Sequence, residues 1–98
     1  MSKIIYVVDD EPEVLELLGL LLRRLDASWQ VMEFSTPAQA LTAARTTAPN
    51  LVLADQNLSG MTGHQMLDSI RQMAPNTIRI IVSAQAQWNV LAGGLCFP

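Results

Sequence analysis

The sequence predicts an α/β fold in which helices cover both faces of a doubly wound parallel sheet. Short apolar runs rich in β-branched residues alternate with longer segments whose apolar residues recur at helical spacing. The short runs lack polar alternation, which is typical of strands buried on both faces. With 98 residues the chain is long enough for one hydrophobic core. We therefore expect one domain in the order βαβαβαβ, spanning residues 1–98.

The predicted elements are separated by clear start and stop signals. Strands are predicted at 4–8, 29–34, 51–54 and 78–82, and helices at 12–25, 37–48 and 63–74. Pro12 and Pro37 stand in the first helical turn, where proline is well tolerated. Pro49 and Pro75 end the second and third helices. Right-handed crossovers between such units make the four strands parallel.

The pattern weakens after Ser83. A short helix is predicted around residues 87–91, and only 15 residues follow Ser83, too few for a helix, a fifth strand and a closing helix. The domain is therefore expected to be incomplete after about residue 84. An uncovered edge of the fourth strand and uncovered apolar helix faces predict a homodimer or an exchanged segment.

Composition argues against several classes of function. The net charge is −3 and the six basic residues are scattered, which argues against a nucleic-acid surface. Apolar runs such as 17–22 are too short to span a membrane. One cysteine allows no internal disulfide, and no signal peptide is visible, so we expect a cytoplasmic protein.

Polar residues stand where three of the predicted strands end. Asp9 and Asp10 follow the first strand, Asp55 the third and Ser83 the fourth. Ligand sites of parallel sheets form beyond these carboxyl ends. Converging carboxylates repel one another unless a cation neutralises them, and hard oxygen ligands suit Mg²⁺. The lone Asp55 is placed to act as a nucleophile that forms an aspartyl phosphate.

These residues resemble the receiver domain of two-component response regulators. The run VVDDEP at 7–12 is similar to the family's acidic motif, LADQNLSGMTG at 53–63 to its phospho-acceptor loop, and IVSA at 81–84 to the end of its fourth strand. The resemblance covers residues 3–84 and implies a flavodoxin-like sheet that here lacks the usual fifth strand and last helix.

The resemblance also implies roles for individual residues. Asp55 would accept a phosphoryl group from a histidine kinase or a phosphotransfer protein. Asp10, Asp55 and the backbone carbonyl of Asn57 would bind Mg²⁺, and Asp9 would join through a water molecule. Ser83 would be the switch hydroxyl. The implied function is phosphorelay signalling rather than enzymatic turnover.

One departure from the family leaves the function open. The family's fifth strand supplies a lysine to the phosphoryl group, whereas the only lysine here is Lys3. A receiver-like interaction or dimerisation module impaired in phosphorylation is therefore the alternative. A third hypothesis is a phosphatase or other Mg²⁺-dependent phosphotransferase that uses an aspartyl phosphate, but the sequence offers no general acid near Asp55 for it. His64 is interpreted as a surface residue rather than a phosphoryl carrier.

Overall fold

The computed structural model describes residues 2–82 completely and the backbone of residues 88–90 and 95–97. Its elements are β1 (Ile4–Val8), α1 (Pro12–Leu25), β2 (Gln30–Phe34), α2 (Pro37–Ala44), β3 (Leu51–Asp55), α3 (Gly63–Met73), β4 (Ile78–Val82), β5 (Trp88–Val90) and β6 (Leu95–Phe97). The predicted order βαβαβαβ is confirmed through β4. Helix α2 ends four residues earlier than predicted, because the chain turns at residues 45–47.

The strands form one sheet in the order β2-β1-β3-β4-β5-β6, and β2, β1, β3 and β4 are parallel. From β1 the chain first adds β2 on one side and then β3 on the other. The junction of β1 and β3 is therefore the switch point, where doubly wound sheets open a crevice for ligands. Val8 lies beside Ala54 there, so the two strands end at the same level.

Helices cover the two faces of the sheet unequally. Helix α1 packs on one face against a core of Ile5, Val7, Leu15, Leu22 and Leu53. Helices α2 and α3 pack on the other face, where the core is larger and includes Tyr6, Val52, Met66, Leu67 and Ile70. Alternate residues of β1 and β3 enter the two cores, so these two central strands are buried on both sides.

The region after β4 differs from the prediction. The expected helix at 87–91 is wrong, because Trp88–Val90 forms strand β5, antiparallel to β4. Strand β6 pairs antiparallel with β5. The outer edge of β4 is therefore paired rather than open, which satisfies its backbone hydrogen-bonding groups. Ser83 lies outside the described residues.

Helix α1 leaves part of its apolar surface exposed. About half or more of the surface is exposed in four of its leucines, Leu17, Leu20, Leu21 and Leu25. The expectation of an uncovered helix face is confirmed for this helix. Within the described residues, no helix is long and apolar enough to cross a membrane.

Candidate functional site

Three carboxylates converge at the switch point. One carboxylate oxygen from each of Asp9, Asp10 and Asp55 lies within 4.8 Å of the others. The convergence follows from the fold, because β1 and β3 are adjacent parallel strands that end at the same level. The structure therefore brings these three residues together at the carboxyl edge of the sheet, as the sequence predicts.

Asp9 is the most buried of the three carboxylates, with 6% of its surface exposed. Burial raises the pKa of Asp9, a hydrogen bond from the Glu11 backbone N–H lowers it, and the negative charges of Asp55 and Asp10 raise it further. The Glu11 bond to Asp9 Oδ1 measures 2.9 Å and fixes the carboxylate orientation. Burial and the neighbouring negative charges therefore disfavour the ionised form of Asp9 in the metal-free protein.

The loop after Asp55 folds back over the site. An isolated bridge joins Asn57 to Thr62, so the loop is closed at its base. Gly60 has a φ of +89°, a conformation that other residues adopt only with strain. The Ser59 hydroxyl donates to Asp10 Oδ2 at 3.5 Å, a long bond that links the loop to the carboxylate cluster.

Gly63 allows α3 to begin directly beside the end of β3. Its N–H donates to the Gln56 carbonyl at 3.0 Å. A Cβ atom at this position would collide with the Asp55 carbonyl oxygen and would lie 2.8 Å from Ile81 Cδ1. Thr62 caps the helix and forms a capping box with Gln65. The helix start therefore holds the backbone of Asp55 in place.

Sequence reasoning missed the contact between His64 and Gln56. His64 Nδ1 lies 2.6 Å from Gln56 Oε1, and the His64 backbone N–H donates to the same oxygen at 3.3 Å. Neither residue belongs to the carboxylate cluster. The sequence shows only that a polar residue, Gln56, follows Asp55 and that His64 stands in the first turn of α3. Such a pair is too common in sequences to predict a contact.

The arrangement suits a divalent cation with a preference for oxygen. The donors are carboxylates, one of which has a raised pKa, and the cluster is open to solvent on the side of Asp10. Magnesium binds through one or two protein carboxylates and keeps several other positions for water or phosphate. The residues present therefore fit Mg²⁺. Asn57, the fourth predicted ligand, lies two residues after Asp55 in the closed loop.

The only lysine of the chain, Lys3, lies far from the carboxylate cluster. Lys3 immediately precedes β1, whereas Asp9 follows this strand, so the two lie at opposite ends of the sheet. Six residues of extended chain separate them by about 20 Å. The only lysine of the chain therefore cannot reach the carboxylate cluster.

An open doubly wound sheet with an acidic oxygen site at its switch point defines a class of α/β domains that bind metal and phosphoryl groups at this edge. Comparison with known proteins gives the family. The sequence matches the response regulator receiver domain over residues 5–95. The chain belongs to this family.

Curated relatives and solved structures agree with this assignment. The hydrogenase transcriptional regulatory protein HoxA of Cupriavidus necator is 28% identical over 91 residues, which are 93% of this chain and 18% of HoxA. The DNA-binding response regulator MtrA of Mycolicibacterium smegmatis is 41% identical over 63 residues, which are 64% of this chain and 27% of MtrA. A CheY-like receiver domain from Methanospirillum hungatei superposes with a TM-score of 0.79 at 25% identity, covering 85% of this chain and 65% of that one.

The chain thus spans between about a fifth and a third of the length of the curated relatives it matches. What these relatives share with it is the receiver domain. Membership of this family places the chain in two-component signal transduction.

Proposed function

We propose that this receiver domain accepts a phosphoryl group on Asp55 from a histidine kinase or a phosphotransfer protein, in a reaction that requires Mg²⁺. The observation that carries the proposal is the convergence of Asp9, Asp10 and Asp55 at the switch point. Membership of the receiver family supports it.

Asp55 is the acceptor in this proposal because it stands alone at the end of β3, beside a loop that leaves it partly exposed. A carboxylate oxygen of Asp55 forms the new bond to phosphorus while the bond from phosphorus to the donor's histidine nitrogen breaks. The leaving imidazole recovers its neutral form by taking up a proton from solvent. No general acid of this chain is needed for that step.

Asp9 and Asp10 supply the negative charge that holds the metal ion. When bound, Mg²⁺ neutralises charge on the transferring phosphoryl oxygens. The Asn57 carbonyl completes the protein ligand set in this proposal, and Asp9 contributes from its buried position. Ser83 is expected to donate its hydroxyl to a phosphoryl oxygen, as the family resemblance implies.

We propose further that the chain acts as a cytoplasmic signalling domain rather than as an enzyme with its own turnover. HoxA is named a transcriptional regulator and MtrA a DNA-binding regulator. The scattered basic residues of this chain support no direct contact with nucleic acid. Any such output would belong to another part of a larger protein.

The position of Lys3 favours a second candidate function. Without a lysine to contact the phosphoryl group, phosphorylation of Asp55 would be impaired. The chain would then serve as a receiver-like interaction module that binds Mg²⁺. The two functions differ in whether Asp55 becomes phosphorylated.

Incubation with Mg²⁺ and acetyl phosphate, followed by measurement of the intact mass, tests the proposal. We expect the mass gain of one phosphoryl group in the native protein and in Asp68→Asn, and no gain in Asp55→Asn. Asp68 is a matched control because it is an exposed acid on α3, outside the cluster. Absence of an Asp55-dependent gain would leave only the interaction module.

Self-association remains a prediction, now supported by the exposed leucines of α1 rather than by an open edge of β4. Sedimentation velocity over a range of concentrations measures it. We expect a dimer that weakens in the variant Leu21→Gln. A compact monomer at high concentration would contradict the prediction.

A further inference from the structure

A cavity of about 360 Å³ lies between α3 and β4, and none of the described residues that line it belongs to the carboxylate cluster. The described residues that line it are His64, Leu67, Asp68, Arg71 and Arg79. The four residues from α3 form one stripe of the helix, because positions 64, 67, 68 and 71 follow the i, i+3, i+4, i+7 spacing of a helix face. The fifth, Arg79, is the second residue of β4. The cavity therefore combines a helix face with one strand side chain.

Arg79 is the unusual member of this set. Only 5% of its surface is exposed, and its Nη1 atom is buried without a hydrogen-bond partner in the part of the chain that the structure describes. A guanidinium group stays charged at all physiological pH values. Burying such a charge without an anionic partner is costly, so a compensating anion is expected beside it.

The neighbouring carboxylate does not provide this compensation. Asp68 Oδ1 accepts bonds from Arg71 Nε at 3.1 Å and from Arg71 Nη2 at 2.9 Å. Its other oxygen accepts from Gln72 Nε2 at 3.3 Å. Among the described residues, no ion pair joins Asp68 to Arg79. Asp68 is also the last acidic residue of the sequence, so no Asp or Glu side chain in residues 69–98 can pair with Arg79.

We propose that this cavity binds an oxyanion, the phosphate or carboxylate group of a ligand, through the guanidinium of Arg79. The planar fork of an arginine matches such groups with two parallel hydrogen bonds. Arg71 adds a second positive charge at the rim, where its side chain is half exposed. His64, also in the lining, contacts Gln56 next to Asp55, so the cavity borders the acceptor loop.

Titration of metal-free protein with sodium phosphate, against sodium chloride of the same ionic strength, tests this site. The arginine Nε–H and backbone amide resonances report where the ion binds. We expect saturable shifts of the Arg79 Nε–H signal and of amides in residues 64–71. Asp55→Asn should bind phosphate equally well, so this test is independent of the proposed phosphorylation.

Two variants separate specific binding from general screening. Arg79→Met should weaken phosphate binding about tenfold or more, the loss of a charge-assisted contact. In chloride it should fold at least as stably as the native protein, because it removes an unpaired buried charge. Arg24→Gln removes the same charge from an exposed position at the end of α1 and should leave phosphate binding unchanged.

Parallel titrations with sulfate, acetate and phosphoserine distinguish the source of the oxyanion. Comparable binding of sulfate and phosphate would show that the site takes a tetrahedral oxyanion. Tighter binding of phosphoserine would indicate a phosphate ester, and preferential binding of acetate would indicate a carboxylate. Shifts that grow without saturation, or that Arg24→Gln weakens as much as Arg79→Met, would overturn the proposal. If Arg79→Met fails to fold, an Arg79 Nε–H signal that does not respond to phosphate in the native protein would overturn it as well.

Discussion

The carboxyl edge of the sheet and the cavity beside α3 are two clusters of opposite charge. At the edge, Asp9, Asp10 and Asp55 gather negative charge without a cation among the described residues. In the cavity, Arg79 carries a buried positive charge without an acceptor for its Nη1 atom in residues 2–82. The fold creates both, but it places the acids on strand ends and the arginine within a strand. Asp10 exposes the first cluster to solvent, whereas Arg79 in the second is buried.

The largest effect expected from this contrast concerns metal affinity at the edge. Asp10→Asn should weaken Mg²⁺ binding by about 100-fold, because it removes the charge of a metal ligand. Mutation of a residue that only supports a metal ligand already lowers metal affinity by about 10- to 100-fold. Calorimetric titration measures the change. Arg79→Met is the matched control from the other cluster and should leave Mg²⁺ affinity as it is. Equal losses in both variants would abolish the distinction between the clusters.

Gly63→Ala should lower the free energy of unfolding by about 1–3 kcal/mol, the usual cost of an overpacked contact. The added methyl group would collide with the Asp55 backbone and with Ile81. Urea denaturation measures the loss. Gly60→Ala serves as comparison, since Gly60 has open space around it and only its positive φ opposes a side chain. A Gly63→Ala protein as stable as the native one would refute the close approach of α3 to the acceptor strand.

Asp9 should give the stability of the metal-free protein a distinctive pH dependence. Its folded pKa is raised above the ordinary value of 3.8, so between these two pKa values the folded state binds more protons than the unfolded state. The contribution to stability is present at low pH and is lost as pH rises through the folded pKa. Asp9→Asn should therefore stabilise the metal-free protein at neutral pH, and saturating Mg²⁺ should remove this advantage.

Asp26 provides a control of opposite sign. Hydrogen bonds from the Ser28 hydroxyl and backbone N–H lower the pKa of Asp26. Its contribution is present above the unfolded pKa and is lost as pH falls through the folded pKa. Asp26→Asn should therefore be neutral or destabilising at neutral pH. Urea denaturation between pH 3 and pH 8 measures the difference in unfolding free energy between each variant and the native protein. If this difference changes with pH in the same direction for both variants, the predicted pKa shift of Asp9 is contradicted.

The smallest effect is expected from Asp68→Asn, which releases Arg71 into the cavity. Exposed ion pairs are worth about 0.2–1 kcal/mol, so phosphate binding should strengthen by up to about fivefold. Phosphate titration of the metal-free variant measures it. Weaker binding than in the native protein would show that Asp68 positions Arg71 for the anion instead of competing with it.

The two clusters also differ in how far the sequence could predict them. The carboxylates were predictable because strand ends meet at one edge of a parallel sheet, so Asp9 and Asp55 converge whatever the details of packing. No comparable rule predicts the surroundings of Arg79, because it lies within a strand. It interrupts an apolar strand, and whether it is paired depends on the rotamers of Asp68 and Arg71, which sequence periodicity does not encode.

The same limit applies after β4. The alternation of strands and helices predicted four parallel strands correctly, because each apolar run was bounded by strong turn and cap signals. Trp88–Val90 is only three residues long and was assigned to a helix. Its strand conformation is set by antiparallel pairing with β4, a contact that apolar periodicity alone does not encode. The predicted role of Ser83 is untouched by these findings.

Locating the phosphoryl group within the chain tests the central claim most directly. Native protein treated with Mg²⁺ and acetyl phosphate is digested with trypsin, and the fragment 46–71 is sequenced by mass spectrometry. This fragment contains both Asp55 and His64. We predict a phosphoryl group on Asp55, formed only when Mg²⁺ is present. A group on His64, or uptake at Asp55 that continues when Mg²⁺ is removed by a chelator, would contradict the account.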